Sequence, residues 1–362
     1  MDTTTLTPAL QGAGPFATVL TDVSQDTENG RHEHDLRVRA ACERLGEQGA
    51  PADVVDAVAE RLRETVHRPA PVGRLVVATP DGIAYDEVAL TRVDDPIATW
   101  DPLPDLTAWI AHRDATLPFI LALVDHEGGD LSLWDSDLPE PEVRASAGGE
   151  DLEFVHQVPV GGWGSLEVQR TTEDTWRKNA ADVAEEIERL VREHGHPVVL
   201  LSGDPTSVAM VRKDLENLPS AVIELSSGQR AEDGGDEALQ QAIREALLAE
   251  VVRRRSELAH RLREALGRGD TGAAGVGPVA DALVRGQVET LIVDPAALSE
   301  VTLNPADHPG LAFGGAEPLA PLRADEALIA AAVATDAEVT TLPGVALGGQ
   351  PVAALLRWTD NP

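Results

Sequence analysis

Residues 119–134 read FILALVDHEGGDLSLW, and residues 161–190 read GGWGSLEVQRTTEDTWRKNAADVAEEIERL. In the first stretch two apolar runs flank Gly128-Gly129, the pattern of a hairpin. In the second, Trp176, Ala180, Val183, Ile187 and Val191 recur at helical spacing with Lys178 on the opposite side, so one long amphipathic helix follows the glycine loop. Between them, after an acidic, Pro-rich and Gly-rich loop, Leu152 to Val160 reads as a strand that runs into Gly161, Gly162, Trp163, Gly164 and Ser165. Downstream, PVVLLSGD at 197–204 is a buried-type strand entering a helix after Pro205, and AVIEL at 221–225 is a further strand. A helix from about Asp236 to Leu266 follows, its second half carrying Arg253, Arg254, Arg255, Arg261 and Arg263, with Arg268 close behind. A hairpin and a strand, then alternating helix and strand, predict a mixed sheet flanked by helices.

Working outward, the N-terminal segment has an apolar run from Phe16 to Val23 and helical patterns over Arg31–Leu45 and Asp53–Val66. GRLVVATPDGIAYDEVAL at 73–90 is a strand, a Pro80-Asp81-Gly82 turn and a return strand, and Asp94 to Asp105 reads as loop before a short helix near Ala108. C-terminally, GRGDTGAAGVGP at 267–278 reads as a hinge. A helix over Val279–Arg285, a strand over Val288–Val293, an Ala-rich helix around Leu328, a strand near Val339 and a last strand over Val352–Trp358 follow. The expected fold class is α/β, in three α/β domains at 1–116, 117–268 and 269–362.

The 362 residues are 43% apolar and 25% charged, an ordinary globular composition, but 62 acidic residues against 29 basic ones give a formal charge of -33. Such a surface repels DNA, RNA and anionic lipid at long range, so any RNA contact must be local and rest on concentrated arginines. A single cysteine, Cys42, excludes an internal disulfide and reads as a small core residue. The first residues, MDTTTLTPALQGAGPF, lack a basic region followed by an apolar one, and no window approaches the ~18 apolar residues that cross a bilayer. A cytoplasmic protein without membrane attachment is the expectation.

The order of hairpin, strand, glycine loop and long helix resembles the central, RNase H-like domain of the archaeo-eukaryotic release factor and Pelota superfamily. GAAGVGPVADALVRGQVETLIVD at 272–294 similarly resembles the start of that superfamily's L7Ae-like C-terminal domain. The likeness covers roughly Pro118 to Trp358 and is greatest to bacterial members, ribosome hibernation factors among them. It implies a translation factor that occupies the A site of the 70S ribosome, contacts ribosomal RNA and associates with elongation factor Tu. It also implies that residues 161–165 reach toward the peptidyl transferase centre, with Arg170, Arg177 and Lys178 on phosphates. In release factors the loop carries a glutamine that positions the hydrolytic water; the aligned residue here is Trp163. An indole has one donor and no acceptor, so the expectation is a factor with no catalytic residue, no metal and no cofactor. The alternative is a peptidyl-tRNA hydrolase or ribosome-rescue factor that cleaves through another group.

Other motifs carry a plainer reading beside a functional one. Arg31, His32 and His34, with Arg37 and Arg39, form either a solvated helix start or an RNA patch, and histidines two apart on a helix face away from each other as metal ligands. Gly348-Gly349-Gln350 lacks a following long helix and reads as a turn. Asp125, Asp130 and Asp135 read as hairpin-turn residues, and Ser202-Gly203-Asp204 as a helix cap.

Overall fold

Alternation of side chains decides the first sheet. The computed structural model describes residues 3–26, 29–68, 70–134, 141–148, 165–195, 197–225 and 235–358, the side chains of 165–173 and 235–236 excepted. A 3-10 turn at Thr4–Leu10 leads into β1 (Phe16–Asp22), α1 (Gly30–Glu47), α2 (Ala52–Arg63), β2 (Gly73–Thr79), β3 (Gly82–Ala89), β4 (Ile97–Asp101) and α3 (Thr107–Ala115). The sheet runs β3-β2-β1-β4, all antiparallel, with Val19 opposite both Val76 and Ala98. Ala17, Val19, Val76 and Ala78 pack on Val38, Leu45, Val54, Val58 and Leu62 of the two helices, while Phe16, Leu20, Leu75 and Val77 face the other way. Both faces are covered, which is why β1 and β2 read as nearly unbroken apolar runs. β4 corrects the expected loop at 94–105. Its alternation is weak, and the unpaired edge of β1 fixes it by hydrogen bonding.

The middle segment contains β5 (Phe119–Val124), β6 (Gly129–Trp134), β7 (Val143–Ala147), α4 (Ser165–Glu193), β8 (Val198–Gly203), α5 (Pro205–Asp214), β9 (Val222–Glu224) and α6 (Gly235–Arg268). Strand order is β7-β6-β5-β8-β9, with β5, β8 and β9 parallel and β6 and β7 antiparallel additions. Ile120, Ala122, Val199 and Leu201 pack on Val183, Ile187 and Val191 of α4 and on Val208 and Val211 of α5. Phe119, Leu121, Val198 and Leu200 pack on Leu239, Ile243, Leu247 and Val251 of α6. The expected mixed sheet flanked by helices is therefore present. β7 lies in a segment expected to be loop, and the strand expected at 152–160 lies outside the described residues.

The last segment holds β10 (Gly272–Ala274), α7 (Val276–Val284), β11 (Val288–Val293), α8 (Pro295–Leu298), β12 (Thr302–Leu303), β13 (Leu322–Arg323), α9 (Ala324–Ala334), β14 (Glu338–Thr341) and β15 (Val352–Leu356). β12 pairs with β13, and the larger sheet runs β10-β15-β11-β14, with β11 and β14 parallel. β10 replaces part of the expected hinge: Gly-Ala-Ala has no apolar pattern, and pairing with β15 makes it a strand. α9 is buried from Ala324 to Val333, so its small residues need no polar face.

Residues Met1–Ala115 and Arg253–Pro362 form one compact unit, and Thr116–Val252 form another. Within the first, Phe16, Leu75 and Trp109 share a core with Leu283, Leu291 and Leu328. The Asp114 carboxylate accepts from Thr340 Oγ1 (2.8 Å) and Thr341 N (3.1 Å), tying α3 to β14. The same unit holds a buried acidic knot. Arg323 reaches Asp105 at 2.9 Å and pairs with Asp325, while Thr107 Oγ1 donates to Asp325 at 3.3 Å. Glu326, 2% exposed, lies 3.3 Å from the Arg323 guanidinium but is misaligned for a hydrogen bond.

Candidate functional site

In the middle segment, three loop ends meet beside the first half of α4. Asp125 Oδ1 accepts from the backbone of Glu127 (2.8 Å) and Gly128 (3.1 Å), which closes the β5–β6 turn and presents His126. The His126 ring stacks on Trp176 of α4, centroids 3.8 Å apart and planes 13° from parallel, a contact worth ~0.5–1.5 kcal/mol. Asn179 Nδ2 donates to His126 O at 2.9 Å, a second tie between helix and turn. At the start of α5, Asp204 caps the helix by accepting from Thr206 N and Ser207 N, both at 3.0 Å. The backbone N–H of Ser207, with His126 nearby, holds the Asp204 carboxyl below the usual range. Gly203, at φ 133°, permits this approach: a Cβ there would lie 1.9 Å from Val124 O.

Ser207 Oγ is 3.0 Å from His126 Nδ1, and Asp204 Oδ1 is 3.6 Å from His126 Nε2. The sequence, in which these residues stand 78 and 81 positions apart, did not reveal this Ser-His-Asp grouping. It does not have the form of a nucleophile site. Ser207 is 2% exposed, so a substrate carbonyl has no path to its oxygen, and the Asp204 oxygen is already taken by two backbone donors. The grouping is a clamp joining the β5–β6 turn, α4 and the α5 cap.

α4 begins at Ser165, eleven residues before the clamped Trp176, a rise of ~16 Å at 1.5 Å per residue. Gly161, Gly162, Trp163 and Gly164 precede it and lie outside the described residues, as do the side chains of Ser165 and Arg170. Arg177 is exposed and paired with Asp174 at 2.8 Å. Lys178 lines a groove of about 580 Å³ with Arg189, Arg192, Asp182, Glu185 and Glu186, so its lining holds three cations and three anions. A second cleft, about 680 Å³, is edged by Asp125, Glu127, Asp130 and Asp204, a field unsuited to phosphate.

The remaining candidates separate. Arg31 and His32 are exposed on α1, whereas His34 is 3% exposed. This corrects both readings of His34, as solvated and as an RNA contact: it sits on the inner face of α1, and burial holds its imidazole below the ordinary range. Burial likewise pushes the Cys42 thiol up, as for an unreactive core residue. Asp130 accepts from Ser146 Oγ at 2.9 Å, and Asp135 lies outside the described residues. Gly348 and Gly349 take φ of 67° and 81° in a turn before β15, in keeping with the turn reading of that tripeptide. Among the described residues no cluster of three His, Cys, Asp or Glu is placed to hold a metal, and no helix is long and apolar enough to cross a membrane.

Comparison with known proteins gives three kinds of likeness. Residues 118–268 match the model of bacterial archaeo-eukaryotic release factor family 2. Along nearly its whole length the chain is 29% identical, over 363 residues, to the uncharacterized protein Rv2629 of Mycobacterium tuberculosis H37Rv, covering 95% of this chain and 94% of that one. Among solved structures, ribosome-bound archaeal Pelota is 16% identical with a TM-score of 0.44, over 81% of this chain and 80% of that one. Archaeoglobus fulgidus Pelota is 14% identical with a TM-score of 0.35, over 82% of each chain. Saccharomyces cerevisiae Dom34 is 9% identical with a TM-score of 0.38, over 80% of each. The matched span holds the mixed sheet, the clamp and all of α4, and over it the chain is similar to bacterial archaeo-eukaryotic release factor family 2.

Proposed function

We propose that this chain is a ribosome-binding factor that occupies the A site of the 70S ribosome without cleaving the peptidyl-tRNA ester, and so holds idle ribosomes inactive under stress. The observation that carries this reading is the family match over residues 118–268, together with tryptophan, not glutamine, at position 163 inside it. Ester hydrolysis needs a group that accepts from or orients the attacking water; an indole N–H only donates. The clamp supports the same reading. It fixes α4 at Trp176, about three helical turns from the helix start at Ser165 that follows residues 161–164 in sequence. The net charge of -33 opposes RNA binding, which favours delivery by a protein partner such as elongation factor Tu.

Co-sedimentation of the full chain with vacant 70S ribosomes, with and without elongation factor Tu, tests occupancy. Peptide release from stalled complexes tests the lack of hydrolysis. The expected result is binding without release, and release that depends on residues 161–165 would overturn the non-catalytic reading. Release that survives changes at residues 161–165 would instead support the alternative, a peptidyl-tRNA hydrolase or rescue factor that cleaves through another group.

A further inference from the structure

The 29 lysines and arginines are not spread evenly. Six arginines fall between positions 253 and 268, with Glu257 and Glu264 the acids of that stretch. It is therefore a basic segment in a strongly acidic chain. In α6 the apolar residues Leu258, Leu262, Ala265 and Leu266 pack against Ile292, Leu342 and Leu355, which turns the rest of this half of the helix outward. Arg254, Arg261 and Arg268 stand seven residues apart. Successive members of that series rise ~10.5 Å and drift by only ~20°, so the three side chains form one stripe. Arg254 is exposed, and the side chains of Arg261 and Arg268 are 57% and 60% exposed.

The neighbours of Arg261 and Arg268 are exchangeable. Arg261 meets Glu289 at 3.0 Å and Arg268 meets Asp270 at 3.2 Å, both solvent-exposed pairs of the kind that contributes little to stability. A guanidinium can trade such a carboxylate for a phosphate and bind it bidentately. Compensation of the helix C-terminal dipole accounts for Arg268 in the last turn, but that effect fades within a turn and does not reach Arg254 or Arg261.

We propose that the stripe Arg254, Arg261 and Arg268 on α6 is an RNA-binding surface that grips the phosphate backbone without reading sequence. The inference rests on the ribosome-binding reading and names where ribosomal RNA is held. The test compares the full chain with the triple variant R254Q/R261Q/R268Q and with a control, R92Q/R212Q/R244Q, that removes the same charge from exposed positions elsewhere. Two probes are used across a salt series: a fluorescent RNA hairpin of arbitrary sequence, and 70S ribosomes by sedimentation. The stripe variant is expected to lose about tenfold or more in hairpin affinity at low salt, and its log–log salt slope to fall by roughly 2 to 3, one phosphate contact per arginine. The control should keep both. Equal losses in control and stripe variants would overturn the inference by reducing it to net charge, as would hairpin binding by the wild type that the stripe variant retains in full. Preference of the wild type for an acidic polypeptide over the hairpin would do the same. Failure of the wild type to sediment with ribosomes, with hairpin binding still lost in the stripe variant, would refute the ribosomal reading and leave the RNA surface standing.

Discussion

Replacing Glu326 by glutamine tests the acidic knot between α9 and the N-terminal sheet. Glu326 is 2% exposed, and burial is the main reason its carboxyl is pushed up to about 8 from an ordinary 4.5; Asp101, Asp105 and Asp325 nearby add to the effect, and Arg323 opposes it. The folded state therefore keeps this proton through a range in which the unfolded chain has released it. Stability must fall as pH rises between about 4.5 and 8, by ~1.4 kcal/mol per pH unit and roughly 5 kcal/mol over the whole window if no other group compensates. The side-chain amide in Glu326→Gln fills the same space as the carboxyl and cannot ionise. The variant should match the wild type within ~1 kcal/mol at pH 5, the cost of one altered buried polar contact. At pH 8 it should exceed the wild type by at least ~2 kcal/mol, taking under half of the full linkage effect. Because the chain has two compact units, a single melting curve is ambiguous, and amide exchange read on peptides of α9 and β11 isolates the relevant one. Parallel pH profiles for wild type and variant would show that Glu326 is ionised at neutral pH, and the burial argument would be wrong.

His34 gives the opposite slope. Burial lowers its folded pKa, so its neutral form contributes stability that is complete above about 6.5 and is lost as pH falls below that value; His34→Leu should flatten the loss of α1 and α2 protection between pH 6.5 and 5. His126→Ala removes the stack on Trp176 and should speed amide exchange in α4 around residues 174–180, with β8 unchanged; unaltered exchange would mean the clamp does not hold the helix. Asp204→Ala deletes the α5 cap and should cost ~1–2 kcal/mol, measured by denaturant unfolding of the middle unit. Gly203→Ala places a methyl 1.9 Å from Val124 O at a φ of 133°, and loss of the folded middle unit by circular dichroism is expected; a native spectrum would contradict the close approach of β8 to β5 at this point.

Local patterning made much of this protein legible. The apolar runs at 16–22, 73–79 and 119–134 specify strands, whose alternate residues enter opposite cores, and the spacing from Trp176 to Val191 specifies the buried face of α4. The cap at Asp204 and the turn at Gly348-Gly349 were likewise readable, because each depends on residues adjacent in sequence. β4, β7 and β10 were not, since a short strand with little apolar pattern exists through the hydrogen bonds of a neighbour that sequence does not identify. The same limit hid His34. A histidine among charged residues at a helix start reads as solvated until the packing shows which face is inward. It also hid the meeting of His126, Trp176, Asn179, Asp204 and Ser207, and that of Asp105 with Arg323, 218 residues away. Spacing along the chain determined the elements and which side of each is apolar, because those follow from backbone geometry alone. Tertiary structure decided which carboxylates lose water, which aromatic locks α4 and which arginines remain outside, because desolvation and contact depend on what the rest of the chain brings alongside.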